Sequence, residues 1–245
     1  RLPRPLRRAC RAGLGIVPLE GWESVFSLLG GMLPELRHRS AGDVIPRARA
    51  LLAATTREAL YSAFMDHWPA PPLAGETPSV SAGHAAGSPA FADPVRWMMF
   101  QDAIGYLPDD LLTKVDRASM HVGLEVRVPL LDHRVVECAA RLPTKWLTDG
   151  RQGKRPLRRL LADRVPPALV DRPKKGFGVP LADWLRGSLR DWAEPLLAAD
   201  RLEAEGFDAS VVQAKWREHQ SGSQDHKHAL WDVLMFQAWR EAWGG

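Results

Sequence analysis

The pattern of apolar and polar positions is helical along most of the chain. Apolar residues recur at helical spacing in segments that are bounded by Pro, Gly or residues typical of helix caps. These segments predict helices at about 1–14, 19–33, 43–54, 55–68, 93–104, 107–121, 132–141, 154–163, 181–197, 208–219 and 225–242. Alternation with a period of two, which is typical of extended backbone, is clear only at 124–128. The predicted fold class is therefore mainly α.

Composition divides the chain into three parts. Residues 69–92 are rich in Pro, Gly, Ala and Ser and poor in large apolar side chains, which is typical of a flexible surface insertion. Residues 1–68 predict a helical segment before it, and residues 93–245 predict a helical C-terminal core after it. We expect the core to be built around Trp97, Leu111, Leu112, Val135, Leu160, Leu185, Trp231 and Phe236.

The stretch 106–132 joins a predicted helix to a turn with closely spaced charges. Lys114 and Arg117 are three residues apart, so they occupy neighbouring positions near the end of the helix. Gly123 is expected to end that helix, because glycine adopts the left-handed backbone conformation without strain. Two cationic side chains therefore precede the turn directly.

Charged and apolar residues alternate after this helix. Glu125 and Arg127 are two residues apart in the extended segment 124–128, so they share one face. Asp132 occupies the position of an N-cap for the following helix. Because the flanks are apolar, we expect these charges to be partly buried and therefore paired. Such a cluster fits two interpretations, a structural ion-pair network or a functional site.

The segment 172–180, Arg-Pro-Lys-Lys-Gly-Phe-Gly-Val-Pro, is a second candidate. Gly176 and Gly178 permit unusual backbone angles. Lys174 and Lys175 carry compact charges that suit a phosphate or a developing oxyanion. A mobile basic surface loop is the alternative interpretation.

Four motifs in this chain occur in the order of a known family. They are Tyr-Leu-Pro-Asp-Asp-Leu-Leu at 106–112, Asp-Arg-x-Ser-Met at 116–120, Leu-Glu-x-Arg-x-Pro at 124–129 and Lys-Lys-Gly-Phe-Gly at 174–178. With these motifs the chain resembles the C-terminal part of the synthetase domain of glutamine-dependent asparagine synthetases. That domain belongs to the ATP-pyrophosphatase superfamily, which also contains the β-lactam synthetases. The resemblance covers 93–245 well and 1–68 loosely.

The resemblance implies a reaction and two catalytic residues. In this family ATP activates a carboxylate as an acyl-AMP with release of pyrophosphate, and ammonia then forms the amide. Glu125 resembles the glutamate that accepts a proton from the incoming amine or orients it. Lys174 resembles the lysine of a loop that closes over the acyl-adenylate, although Lys175 is left open as the active lysine. The acceptor carboxylate, aspartate or another, also stays open.

The resemblance further implies binding and supporting roles. Arg117 and Lys175 would contact ATP or pyrophosphate. Arg127 and Asp132 would support the residues that contact the substrate, and direct contact by these two is left open. Small-molecule carboxylate and ammonia would be the substrates, and a homodimer is left open. No metal ligand is expected within this chain.

Several parts of the resembled family are missing from the sequence. These are the Ser-Gly-Gly phosphate loop, the acidic Asp-Glu-Leu-Phe-Gly-Gly segment and the N-terminal glutaminase domain. The chain would then be the helical portion of an α/β adenine-nucleotide-hydrolase-like synthetase domain whose strand-rich half is absent. ATP and Mg²⁺ are the expected cofactors, with the magnesium ligands upstream. Ser-Gly-Ser-Gln-Asp at 221–225 follows a polar helix rather than a strand, so we interpret it as a turn.

Charge and cysteine content define the alternative. The chain has 245 residues and a net charge of +4, with basic stretches at 1–11 and 151–175. Such patches attract polyanions, so a basic helical module that binds nucleic acid or protein without catalysis is the competing hypothesis. Cys10 and Cys138 have no metal or disulfide spacing, which suits the cytoplasm. No apolar run approaches the ~18 residues of a membrane span, and we expect neither a membrane nor a nucleic-acid partner.

Overall fold

The computed structural model of the chain describes residues 3–29, 41–68, 71–75, 90–150, 152–171 and 178–244. The described residues are mainly helical, which confirms the predicted class. Extended backbone pairs among them only at one antiparallel bridge, between Leu73 and Phe207.

Fifteen α-helices, one π-helix and one 3-10 helix make up this part of the chain. In chain order they are α1 (Arg4–Ile16), α2 (Leu19–Leu29), α3 (Ala41–Ala53), α4 (Arg57–Met65), α5 (Pro94–Ile104), the π-helix Leu107–Leu112, α6 (Thr113–Met120), the 3-10 helix Pro129–Leu131, α7 (His133–Arg141), α8 (Thr144–Leu147), α9 (Arg155–Ala162), α10 (Pro167–Val170), α11 (Leu181–Arg186), α12 (Arg190–Leu196), α13 (Ala199–Ala204), α14 (Ala209–Ser221) and α15 (Lys227–Trp243).

The chain forms two compact units. The first unit consists of Arg1–Val80 together with Gly178–Gly245, and the second consists of Ser81–Phe177. The predicted insertion 69–92 lies mostly outside the described residues, so the three-part division of the sequence stays a prediction. Part of it is described: the backbone carbonyl of Pro72 accepts a hydrogen bond from Asp208 at 2.9 Å, within the first unit.

Side-chain caps set the starts of three helices. Thr56, Asp93 and Asp132 each accept a hydrogen bond from a backbone N–H in the first turn of α4, α5 and α7, at 3.1, 2.9 and 2.9 Å. The N–H groups of a first helical turn have no partner inside the helix, so each cap satisfies a donor that folding would otherwise leave unpaired. The caps that the sequence predicts at Asp93 and Asp132 are confirmed, and of the two candidates Thr55 and Thr56 the structure shows Thr56.

One apolar core holds the C-terminal helices of the first unit together. Its buried members are Leu181, Leu185, Ala193, Leu196, Leu197, Leu202, Phe207, Ala209, Val212, Trp216, Leu230, Val233 and Leu234. Trp68 packs against this core, and its indole N–H donates to the Ala229 carbonyl at 3.1 Å. The segment that follows α4 is therefore tied to α15. A smaller cluster of Phe26 and Ile45 lies between α2 and α3.

The predicted core residues are confirmed in part. Trp97 and Leu185 are buried, with 1% and 0% of their surface exposed. Trp231 is partly buried against the core of the first unit, and Leu111 and Leu112 are half-buried.

Three expected core residues are wrong. Val135, Leu160 and Phe236 are 41%, 63% and 37% exposed. In the second unit, the described residues that are buried are Trp97 and Gln101 alone. Helical periodicity identifies the apolar face of α7 and α9, but it does not say whether another element covers that face.

Local geometry departs from the predicted segments at several places. The predicted helix 181–197 is divided into α11 and α12 at Gly187, whose backbone dihedrals are not helical. Three short helices, α8, α10 and α13, lie outside the predicted helical segments. The predicted helix 107–121 begins as a π-helix, in which the Thr113 N–H points back to the Pro108 carbonyl. Wider turns of this kind do not leave a periodic signal.

The turn between α14 and α15 is confirmed as an interhelix turn. Gly222 follows α14 with φ of 76°, in the left-handed region that glycine adopts without strain. The hydroxyls of Ser221 and Ser223 donate to the Glu218 carbonyl at 2.9 and 3.1 Å. The serines therefore satisfy carbonyls at a helix C-terminus and do not present a phosphate loop.

His219 is buried beneath this turn. Its Nδ1 accepts a hydrogen bond from the backbone N–H of His226 at 3.2 Å, so the neutral ring carries its proton on Nε2. Burial and the positive charge of Arg186 lower the pKa of His219, and the Asp225 carboxylate 3.4 Å from Nδ1 opposes them. The folded chain therefore favours the neutral imidazole.

We expect this histidine to make the chain acid-sensitive. In the unfolded state His219 binds a proton near its ordinary pKa of 6.5, and in the folded state it does so only at a lower pH. The folded state is therefore at its full stability, as far as His219 determines it, above pH 6.5, and it loses stability as the pH falls below that value. The urea midpoint should fall more between pH 7.5 and pH 5 in the wild type than in His219→Gln. His133→Gln, at an exposed position, should keep the wild-type slope. Equal slopes in all three would contradict the assignment.

Candidate functional site

The helical side of the candidate site is α6. Lys114 forms an exposed ion pair with Asp110 one turn earlier, with 3.4 Å between Nζ and Oδ1. Arg117 is exposed on the same helix, and its guanidinium makes no ion pair with a described carboxylate. A guanidinium in this state carries five donors in a fork that suits carboxylate or phosphate oxygens.

Gly123 ends the helix as predicted. Its φ is 69°, and its N–H donates to the Met120 carbonyl at 3.0 Å. The next N–H, that of Leu124, returns to the Ser119 carbonyl at 3.0 Å. These bonds close the C-terminus of α6 and direct the chain into extended backbone at 124–128.

Glu125 and Arg127 share one face of this extended segment, as their spacing predicts. Their side chains form an ion pair with 2.7 Å between Oε1 and Nη2. The expectation of partial burial is wrong, because these side chains are 69% and 84% exposed. The apolar neighbours do not shield them, since Leu124 and Val126 are 58% and 46% exposed themselves. An ion pair this exposed adds little to stability.

Asp132 anchors the far side of the turn. Its carboxylate caps α7 and also accepts hydrogen bonds from the Arg134 guanidinium at 2.9 and 2.8 Å. The Arg134 guanidinium and the backbone N–H groups at the start of α7 lower the pKa of Asp132. The carboxylate thus stays ionised and fixes where the turn meets α7.

The other two site residues, Lys174 and Lys175, lie outside the described residues. A shared surface for Glu125, Arg117 and Lys174 therefore stays a prediction, as do the roles assigned to Arg127 and Asp132. What the structure brings together is the ion pair of Glu125 with Arg127, held between a helix end and a helix cap.

Sequence reasoning missed the large apolar surface around this turn. We call it the turn surface; its exposed side chains are Val122, Leu124, Val126, Val128, Leu130, Leu131, Val135 and Val136, each at least 37% exposed. Contiguous apolar patches on proteins mark places where another protein, domain or ligand binds. The signal in the sequence was the apolar alternation itself, which we interpreted as packing within this chain.

The described ranges contain neither a metal-binding cluster nor a membrane-spanning helix. No three His, Cys, Asp or Glu side chains there lie close enough to hold a metal ion. Nor does any helix there combine the length and the apolar character that crossing a membrane requires.

The sequence matches known proteins along nearly its whole length. A family model described as asparagine synthase matches residues 17–241. A putative asparagine synthetase [glutamine-hydrolyzing] of Mycobacterium tuberculosis is 35% identical over 239 residues, which are 97% of this chain and 34% of that protein. Asparagine synthetase [glutamine-hydrolyzing] 1 of Bacillus subtilis is 29% identical over 152 residues, or 62% of this chain and 24% of that protein.

The matched region is only part of each relative. The chain spans about a third of the length of the mycobacterial relative and less of the Bacillus protein. No solved structure matches the chain.

Proposed function

Because the chain belongs to the asparagine synthase family, we propose that it forms the C-terminal part of the synthetase domain of an ATP-dependent amidotransferase. The observation that carries this proposal is the family match over residues 17–241, which includes all four sequence motifs in their order. The mycobacterial relative, whose printed name is that of a glutamine-hydrolysing asparagine synthetase, supports it over 97% of the chain.

The proposed reaction has two steps. A carboxylate oxygen of the substrate attacks the α-phosphorus of ATP, the bond to the β-phosphate oxygen breaks, and pyrophosphate leaves. Ammonia then attacks the acyl carbon of the acyl-AMP, loses a proton, and expels AMP to give the amide. The ammonia would come from glutamine, hydrolysed in the glutaminase domain of the same enzyme.

Glu125 is the group that we assign to the proton transfer. The ammonium nitrogen formed on attack must lose a proton, and a carboxylate within hydrogen-bond reach can accept it. Arg127, whose guanidinium lies 2.7 Å from Glu125, would hold that carboxylate in position. Asp132 would act through the backbone, since it fixes the start of α7 three residues after Pro129.

Arg117, Lys174 and Lys175 are the groups that we assign to negative charge. The exposed guanidinium of Arg117 supports a contact with nucleotide phosphate, because no described carboxylate neutralises it. Lys174 and Lys175 would bring ammonium groups to the pyrophosphate or to the tetrahedral oxyanion. Their segment contains Gly176 and Gly178, which permit the backbone changes that closing loops require.

The remaining parts of the enzyme would complete this site. We propose that the strand-rich half of the domain, with its phosphate loop, covers the turn surface. The exposed apolar side chains support this, since they gain free energy only when another element buries them. Bound Mg²⁺ would neutralise phosphate charge. The described residues do not fit a magnesium site, so we place its ligands in that other half and derive no step from it.

An isotope experiment tests the proposed function in the complete synthetase. Aspartate with ¹⁸O in its side-chain carboxylate is supplied with ATP, Mg²⁺ and ammonia, and the AMP is examined by mass spectrometry. Activation as acyl-AMP moves one ¹⁸O atom into the phosphate of AMP. Formation of ADP and labelled inorganic phosphate would contradict the proposal. If aspartate is not consumed, the same measurement with other labelled carboxylates distinguishes a different acceptor from a chain without this activity.

A further inference from the structure

A cavity of about 500 Å³ lies between α1 and α3 in the first unit. Its volume is in the range of small-molecule sites in proteins, which is about 300–1,000 Å³. One face of each helix lines it, because Arg11, Leu14 and Gly15 of α1 and Ile45, Arg49 and Ala53 of α3 recur at helical spacing. The cavity belongs to neither the turn surface nor the site proposed above.

The cavity is lined by polar atoms and, in similar measure, by apolar walls. The apolar walls are formed by Leu14, Val17, Ile45, Pro46, Ala50 and Ala53. Gln224, from the turn between α14 and α15, also lines the cavity and carries a side-chain amide. Walls of this kind accommodate the apolar part of a ligand, and the amide offers a donor and an acceptor that can orient a polar end.

Two arginines give this cavity its charge. Arg11 and Arg49 line it, and none of the acidic side chains that the structure describes does. Neither guanidinium forms an ion pair with a described carboxylate. Asp225, the acid next to Gln224 in the chain, is held by Lys227, with 2.5 Å between Nζ and Oδ2. The charges of the two arginines are therefore not compensated within the described protein.

The side chains of Arg11 and Arg49 lie along neighbouring turns of α1. A Cβ atom at Gly15 would lie 3.1 Å from Nη2 of Arg49. The Arg49 side chain therefore reaches α1 at Gly15, which has no side chain of its own. Arg11 is one helical turn before Gly15, and residues so spaced have Cβ atoms about 5–6 Å apart. Like charges that line one groove repel each other, and an anion between them would convert repulsion into attraction.

A third arginine, Arg7, has a structural role between the same two helices. Arg7, one turn before Arg11 on α1, donates to the Leu52 carbonyl at 3.2 and 3.0 Å and also to the Ala54 carbonyl. These are carbonyls at the C-terminus of α3, which lack partners inside the helix. Arg7 therefore caps α3, whereas Arg11 and Arg49 make no such bond to a carbonyl of the described residues.

We propose that the groove between α1 and α3 binds a small organic anion, a carboxylate or a phosphate monoester with a short apolar chain. The anionic group lies between Arg11 and Arg49, and both guanidiniums donate to its oxygens. The apolar chain lies along Leu14, Ile45 and Ala50. This site is independent of the amide-forming site, since all its residues belong to the first unit.

Calorimetric titration with four probes tests this site in the purified protein. Hexanoate and hexyl phosphate carry both the charge and the chain, hexanol carries the chain alone, and inorganic phosphate carries the charge alone. At least one of the first two should bind about tenfold or more tightly than hexanol and inorganic phosphate. Which of the two binds more tightly identifies the head group, carboxylate or phosphate.

Four variants decide which residues bind the anion. Arg11→Gln and Arg49→Gln should each weaken binding by about tenfold or more, because each removes a charged donor. Arg8→Gln removes the same charge from α1 but not from the cavity, and it should keep the affinity within about twofold. Arg11→Lys should recover part of the loss. If Arg49→Gln shows no cooperative thermal transition, Arg11→Gln decides alone.

The opposite results would overturn the proposal. They are the absence of binding by both charged probes at millimolar concentration, equal binding of hexanol, or an equal loss in Arg8→Gln, which would indicate attraction to the net charge of the helix alone. Unchanged binding in Arg11→Gln and Arg49→Gln would equally overturn it.

Discussion

In the complete synthetase, Lys174→Ala is expected to lower the rate of amide formation by about 10²–10³-fold. The ammonium group is proposed to act where negative charge develops, on departing pyrophosphate or on the tetrahedral oxyanion. An interaction that strengthens only in the transition state changes kcat and leaves ground-state binding nearly unchanged. ATP affinity, measured by equilibrium binding, should therefore change far less than the rate.

Lys175→Ala is the matched control for this prediction. It removes the same charge from the neighbouring position of the same segment, and it should affect the rate less if Lys174 is the active lysine. A larger loss of rate in Lys175→Ala would indicate that Lys175, and not Lys174, is the active lysine. Equal losses of rate and ATP affinity in Lys174→Ala would contradict a transition-state role. They would favour the alternative interpretation of the segment as a basic surface loop.

Glu125→Gln separates the two steps of the proposed reaction. The amide keeps the shape of the side chain but accepts protons poorly, so the step that uses ammonia should slow. Exchange of labelled pyrophosphate into ATP, which reports only the first step, should continue. Loss of that exchange as well would assign Glu125 to adenylation or to the fold of the turn instead.

The helix ends were predictable because they depend on neighbouring residues. Thr56, Asp93 and Asp132 form caps with N–H groups two or three residues away, so their effect is encoded within one turn of chain. Gly123 ends α6 for an equally local reason, its positive φ. The division of one predicted helix at Gly187 was missed, since an isolated glycine is tolerated within helices.

Burial was harder to predict because it depends on distant elements. The apolar positions 124, 126 and 128 suggested packing within this chain, and the structure leaves them exposed. The same alternation fits a segment that another part of a larger domain covers. Pattern alone identifies an apolar face and cannot identify its partner.

In the candidate site, too, the local geometry was predictable and the position of distant residues was not. The spacing of Glu125 and Arg127 placed them on one face, and the 2.7 Å ion pair confirms it. Motif resemblance, rather than spacing, brought in Lys174, and its position relative to Glu125 stays a prediction. The groove with Arg11 and Arg49 left no sequence signal beyond basic charge, because its two sides come from separate helices.

Leu234→Ala is expected to destabilise the first unit by about 2–5 kcal/mol. Leu234 is fully buried in α15, within the core that joins α11 to α15. Truncation removes apolar surface that folding buries and leaves a cavity that close-packed neighbours fill only in part. Urea unfolding followed by tryptophan fluorescence would measure the loss, since Trp216 belongs to this core.

Met235→Ala is the matched control, one residue further along α15. Its side chain is 37% exposed, so truncation there should cost well under half as much, because less apolar surface leaves water on folding. Both variants put alanine, the best helix former, into the same helix, so the difference between them reports burial rather than helix propensity. Equal losses of stability in the two variants would show that the α15 face assigned to the core is not the face that stabilises the unit.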